Sequence, residues 1–248
     1  LPHDTILPYG DKNRSKKDQV ADMFNQIAFR YDFLNRFLSG GIDIYWRKKA
    51  ISELRTLKPK KVLDVATGTA DVALMTMKYL TPEKIIGIDI STGMLELGRK
   101  KIAKAMLNDR IELLEGDSET INFPNNTFDA VTVAFGVRNF EHLHKGISEM
   151  LRVLKPGGKL VVLEFSRPKS KGFKGLYKIY MNLVAPGIGK MVSKNRAAYQ
   201  YLNDSVQAFP EGNDFLKILQ ETGYTNTYLK TLSLGICTIY CGTRSSEK

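Results

Sequence analysis

Between Val62 and Asp71 the chain reads Val-Leu-Asp-Val-Ala-Thr-Gly-Thr-Ala-Asp, an apolar run that ends in small residues. Small side chains at Ala66, Gly68 and Ala70, with Thr67 and Thr69 between them, let a backbone turn approach a ligand where bulk would stand in the way. Asp89 and Ile90 close the next apolar run. A carboxylate at that point can accept both hydroxyls of a ribose. The chemistry implied is capture of a cofactor that carries a nucleoside.

Charge selects among such cofactors. A dinucleotide needs glycines and a helix N-terminus to meet its pyrophosphate, in a G-x-G-x-x-G turn. The turn here is A-x-G-x-A, and Asp64 stands before it. A carboxylate there suits a cationic amino-acid moiety and repels a pyrophosphate. S-adenosylmethionine has an ammonium, a sulfonium and no phosphate. Gly116-Asp117-Ser118 follows a third apolar run, and Asp117 and Ser118 are expected to hydrogen-bond the adenine. Met94 either covers the adenine face or packs in a helix core.

The elements that must position these residues alternate. Strands are predicted over 61–65, 84–90, 111–115, 128–135 and 159–165, with helices over 71–80, 91–106 and 144–153 between them. Two helices, over 20–37 and 44–54, precede the first strand. A helix over 213–222 and an antiparallel pair, 225–232 and 236–243, end the chain. Alternation of this kind implies an α/β fold with a mostly parallel sheet and helices on both faces. Residues 1–18 read as a flexible segment without a signal-peptide core. Residues 19–248 read as a single domain, with 19–56 as a helical cap and 166–204 as a basic amphipathic insert.

The chain has 248 residues and a net charge of +11. Eight basic residues and no acidic one lie between Phe165 and Asn203, and without them the charge falls to +3. The excess is local, which points to an anionic partner. Leu176, Ile179, Tyr180, Leu183 and Val184 make an apolar stripe among these lysines. The pattern suits peripheral contact with an anionic membrane, or a solvated cover over the site. Cys237 and Cys241 form neither a disulfide framework nor a metal cage, and a cytoplasmic protein is expected. His142 and His144 lack further ligands nearby, so no metal is expected.

Two stretches carry a specific resemblance: Tyr31-Asp-Phe-Leu-Asn35 through Trp46, and Arg152-Val-Leu-Lys-Pro-Gly-Gly158 through Glu164-Phe-Ser166. They resemble the two signatures of the ubiquinone/menaquinone biosynthesis C-methyltransferases. Phe135-Gly-Val-Arg-Asn139 and Tyr199 through Phe209-Pro210 are similar to that family as well. The resemblance implies a Rossmann-like methyltransferase with a seven-stranded sheet and transfer of a methyl group to a ring carbon of a polyprenylated quinol. Demethylmenaquinol is favoured as acceptor; a benzoquinol of the ubiquinone pathway is the alternative. A homodimer stays open. The resemblance also implies a site. Tyr31, Asp32, Asn35, Trp46, Tyr199, Tyr201 and Phe209 are expected to contact the substrate. Arg138 and Asn139 are expected where the methyl group points, with Asp117 ordering a water. Asp43 stands where many members have histidine and is a candidate base. Ala134 stands where some relatives have a cofactor-contacting serine.

Rival functions follow from the same features. An NAD-dependent oxidoreductase is disfavoured by the missing pyrophosphate glycines. A nucleic-acid methyltransferase would suit the charge, but an Asn-Pro-Pro-Tyr-like target turn is absent and no nucleic acid is expected. An adenosyl-binding module without activity would bind cofactor and turn nothing over.

Overall fold

The structure is a computed structural model, and it describes residues 2–167 and 196–246. Its centre is a seven-stranded sheet: β1 (Lys61–Val65), β2 (Lys84–Asp89), β3 (Ile111–Glu115), β4 (Phe128–Ala134), β5 (Leu154–Phe165), β6 (Tyr224–Leu232) and β7 (Cys237–Arg244). The spatial order is β3-β2-β1-β4-β5-β7-β6. The first five strands pair in parallel, and β7 lies antiparallel between β5 and β6. The helices are α1 (Lys16–Ser39), α2 (Ile42–Ser52), α3 (Asp71–Leu80), α4 (Thr92–Lys104), α5 (Leu143–Val153), α6 (Arg196–Ala208) and α7 (Asn213–Thr222).

Strands β1 and β2 are apolar along nearly their whole length because both faces of a parallel sheet are covered. On one face Ile147 and Met150 of α5 and Phe215 and Leu219 of α7 pack on Leu63, Ile86, Val131 and Val133. On the other, Trp46 and Leu54, Ala73 and Met77 of α3, and Leu95 and Ile102 of α4 pack on Val62, Ile85 and Ala130. Cys237 and Cys241, four apart on β7, are fully buried packing residues in this second core. The chain leaves β1 toward β2 and returns to place β4 on the other side of β1. That reversal opens a crevice beyond the carboxyl ends of the strands, the usual ligand site of such sheets.

Three expectations change. Part of the segment expected to be loose is packed: His3 and Pro8 are buried, while residues 12–14 are exposed. His3 is buried, its ring 6.2 Å from that of Phe209, and its carbonyl accepts Lys16 Nζ at 2.8 Å. The Gln19 side chain donates to Asp11 O at 2.7 Å and accepts from Tyr9 N at 3.1 Å. Three polar groups of this stretch, on His3, Tyr9 and Asp11, pair with Lys16 and Gln19 of α1. Second, α6 begins inside the expected insert, at Arg196. Its buried face is Tyr201 and Ser205, continued by Phe209 beyond its end, and the serine hides the four-residue apolar spacing. Third, β5 starts at Leu154, and residues 155–158 bulge out between the Phe128–Leu154 and Ala130–Lys159 pairs. The apolar stripe and all six lysines of the insert lie at 168–195, outside the described residues. Among the described residues, no helix is long and apolar enough to cross a membrane.

Candidate functional site

The crevice holds an open cleft lined by the loops at the carboxyl ends of the strands. Each loop at the carboxyl ends of β1 to β4 contributes to it: Ala66 and Gly68, then Asp89, Ile90 and Met94, then Gly116 to Glu119, then Ala134 to Gly136 with Asn139. Lys17, Val20 and Phe24 of α1, with Phe140 and Glu141, form the remaining wall.

The turn after β1 is sharply bent. Ala66, Gly68 and Ala70 all have positive φ, at 51°, 55° and 66°. For the two alanines this left-handed backbone costs roughly 1–2 kcal/mol each, so the surroundings must enforce it. Thr67 N donates to Ile88 O at 3.0 Å, and Gly68 N donates to Asp89 Oδ2 at 2.8 Å. Asp89 Oδ1 accepts Ser91 N at 2.8 Å. Burial raises the Asp89 pKa, against the pull of these amides. Across the crevice, a Cβ on Gly136 would stand 2.6 Å from Ala66 Cβ. The β1 and β4 loops therefore touch only because Gly136 has no side chain.

Asp64 is placed differently from the sequence expectation. It is buried under the turn and does not line the cleft. Its Oδ2 accepts Thr67 Oγ1 and its Oδ1 accepts Thr132 Oγ1, both at 2.6 Å. Burial pushes its pKa up to about 6, and the two hydroxyls hold it back. Thr67 is thus turned inward. Thr69 is turned away too: its hydroxyl donates to Asp32 Oδ1 at 2.6 Å and accepts Lys101 Nζ at 2.8 Å.

Helix α1 is bound to all four loops; after β4, its first residue Lys16 donates its backbone N to Glu141 Oε1 at 2.9 Å. Asp32 meets Thr69 after β1, and its other oxygen lies 2.5 Å from Lys101 Nζ. Asn25 Oδ1 accepts Ser91 Oγ at 2.7 Å and Gly93 N at 2.9 Å, after β2. Lys17 Nζ donates to Asp117 Oδ2 at 2.7 Å, after β3. Asp32, expected against substrate, braces this helix to the turn instead, because its two oxygens are taken by Thr69 and Lys101.

Behind the β4 loop lies a buried polar and aromatic layer. Arg138 sits in a short 3-10 turn, Val137–Asn139, and is buried, not lining the cleft. Its Nη1 donates to Glu164 Oε1 and to Phe135 O, both at 2.7 Å. Phe135 stacks on Phe165 at 4.6 Å, and Trp46 leans on both rings. Arg138 Nε, Asn139 Oδ1 and Tyr201 Oη are buried without a hydrogen-bond partner among the described residues. Burial raises the Tyr201 pKa.

The structure thus gathers Ala66, Gly68, Asp89, Ile90, Met94, Asp117, Ser118 and Asn139 around one cleft. It sets others apart. Asp43 is buried, ion-paired with Arg47 and accepting Ser39 Oγ at 2.8 Å, so it is not free to act as a base. Trp46 is a core residue whose Nε1 donates to Ser233 Oγ at 2.8 Å. Phe209 packs on Phe215 at 5.2 Å. The side chains of Tyr31, Asn35 and Tyr199 lie outside the described residues. His142 turns its Nδ1 to Glu119 Oε2 at 2.9 Å. Sequence reasoning missed Lys17, Val20 and Phe24, whose place in the wall comes from tertiary docking of α1. It quoted Phe135 and Glu164 inside matched segments without giving them a role.

Comparison with known proteins names the family. The chain is 44% identical over 243 residues to a demethylmenaquinone methyltransferase of Bacteroides fragilis, covering 98% of this chain and 99% of the relative. It is 47% identical over 228 residues to the ubiquinone/menaquinone biosynthesis C-methyltransferase UbiE of Geobacter sulfurreducens, covering 92% and 89%. Solved structures share the fold at low identity. A SAM-dependent methyltransferase of Thermotoga maritima has a TM-score of 0.62 at 17% identity, covering 91% of this chain and 99% of that one. The [4+2]-cyclase SpnF has a TM-score of 0.63, also at 17%, covering 92% and 97%. A methyltransferase and a cyclase on one fold mean that the fold alone does not fix the reaction. The sequence does more: a model of the ubiE/COQ5 methyltransferase family matches residues 12–244, and the chain belongs to that family.

Proposed function

We propose that this protein transfers a methyl group from S-adenosylmethionine to a ring carbon of a polyprenylated quinol, with demethylmenaquinol as the acceptor. The near-full-length likeness to relatives of that name carries the reading. The residues present fit the cofactor. The cleft is approached by the small residues Ala66, Gly68 and Gly136, and Asp89, Asp117 and Ser118 offer acceptors for ribose and adenine. Met94, buried at the start of α4, also borders the cleft and suits the adenine face.

When bound, the cofactor supplies an electrophilic methyl group carried on a sulfonium. The chain's own residues prepare the acceptor. A quinol ring carbon becomes nucleophilic when its neighbouring hydroxyl loses a proton, and an unperturbed phenol does so only at about pH 10. The Arg138 guanidinium stabilises the resulting oxygen anion. Asn139 orients the ring oxygen from the cleft wall. Asp117, its carboxylate held in place by Lys17, orders the water that takes the proton. Three buried polar atoms without protein partners, on Arg138, Asn139 and Tyr201, support a polar guest in this layer. Each costs roughly 1–3 kcal/mol if left unpaired.

The test is incubation with labelled S-adenosylmethionine and either a short-chain demethylmenaquinol or total RNA. Label in the quinol is expected; label in RNA alone overturns the reading. Arg138→Ala is expected to keep cofactor binding and lose turnover, and full turnover in that variant removes its role. The basic insert, with its lysines and apolar stripe, rests on anionic headgroups in this reading, where a prenyl tail resides. Flotation with anionic vesicles at low and high salt tests it, and no binding at low salt rejects membrane contact.

A further inference from the structure

Glu164 is a wholly buried carboxylate near the end of β5, away from the cleft wall. Every contact it makes ties it to Arg138 or to its own backbone. Oε1 accepts Arg138 Nη1 at 2.7 Å and Phe165 N at 2.8 Å; Oε2 accepts the Arg138 backbone N at 3.4 Å. The Arg138 guanidinium also lies 5.5 Å from the centre of the Phe165 ring. A turn of three residues has little rigidity of its own. The place of the Arg138 side chain is therefore set from β5, by Glu164 through charge and by Phe165 through its ring face.

We propose that Glu164 is the positioning residue of the acceptor site: it holds Arg138 in place and cancels its charge until an oxygen anion forms nearby. The inference rests on the role given to Arg138 above. A lone guanidinium in a water-poor layer would drift toward whatever anion it could reach, and its full charge would act on the acceptor in every state. Paired with Glu164, it keeps Nε unpartnered and acts as a donor in fixed geometry. Fixed donors need no rearrangement as charge develops, which is where their rate advantage arises. Among the described residues, the titratable groups around the pair include Tyr201 of α6, Cys237 and Tyr240 of β7, Lys16 of α1 and Arg47 of α2. None of these supplies a second carboxylate.

Three variants test this. Glu164→Gln keeps size and one acceptor but leaves Arg138 uncompensated. The added positive charge favours ionisation of the acceptor hydroxyl, so the limb of the kcat–pH profile that reports it moves to lower pH, by about one unit. Glu164→Ala frees the guanidinium; kcat falls at least about tenfold while the cofactor KM stays unchanged. Glu164→Asp recovers part of kcat. A Glu164→Gln profile that overlays the parent, or a Glu164→Ala variant with the parent kcat, overturns the proposal. Glu164→Gln carries the test if the alanine variant does not fold. Arg138→Ala is run beside them. Full turnover there removes the role of Arg138 and this inference with it. Loss there, with an unchanged Glu164→Gln profile, removes the role of Glu164 alone.

Discussion

Replacing Asp64 with asparagine is expected to stabilise the protein at neutral pH, although the side chain lies under the cofactor turn. The carboxyl is wholly buried, and its pKa stands at about 6 against 3.8 for a free aspartate. That gap corresponds to about 3 kcal/mol, at 1.36 kcal/mol per unit. The sign follows from proton binding. Between about pH 4 and 6 the native state holds a proton that the unfolded chain has released, so this group's favourable contribution is present below pH 3.8 and lost as pH rises through 6. An asparagine never takes the charge, and it can still pair with the hydroxyls of Thr67 and Thr132. Urea unfolding of both proteins from pH 4 to 7.5 measures the effect. The variant should match the parent near pH 4 and exceed it by up to about 3 kcal/mol above pH 6.5. Differencing the two proteins removes Asp129 and Glu149, whose lowered pKa values act in the opposite direction in both. A variant less stable than the parent at pH 7.5, or a difference that does not change with pH, refutes the reasoning.

Gly136→Ala drives a Cβ into Ala66 and is expected to weaken S-adenosylmethionine binding at least about tenfold in calorimetry, with the far-ultraviolet spectrum unchanged. Asn25→Ala removes the tie between α1 and the β2 loop and should speed limited proteolysis within α1, with little change in the global unfolding midpoint. Phe209→Ala opens a cavity beside Phe215 and should cost about 3–5 kcal/mol in urea unfolding. If Phe209 instead touches the acceptor, KM for quinol rises and stability hardly moves.

The sheet was readable because its strands are short, β-branched and separated by helices of ordinary length, and the terminal antiparallel pair followed the same rule. The turn after β1 was readable because its small residues leave few alternatives. Side-chain direction was not. Asp64 and Asp89 look alike as carboxylates at strand ends, yet Thr132, a neighbour only through β4, captures the first and leaves the second at the cleft. Asp43 and Asp32 drew attention through the family resemblance, but Arg47, four residues on, and Lys101, on α4, claim them. Lys17 could not be found from sequence, since only the docking of α1 brings it to Asp117. Helix α6 was hidden because Ser205 occupies the middle of its buried face.

Helix α1 makes polar contacts with the loops after β1, β2 and β3 through Asp32, Asn25 and Lys17. The cofactor and the helix therefore share one free energy. Whatever steadies those loops also steadies α1, and a substitution that loosens α1 must weaken the loops' ligand by the same factor. Amide exchange along α1 then becomes a gauge of cleft occupancy: protons far from any ligand atom should exchange more slowly as the cleft fills. Release of the spent nucleoside is tied to the same contacts, so turnover can be limited by how fast a helix lets go rather than by methyl transfer.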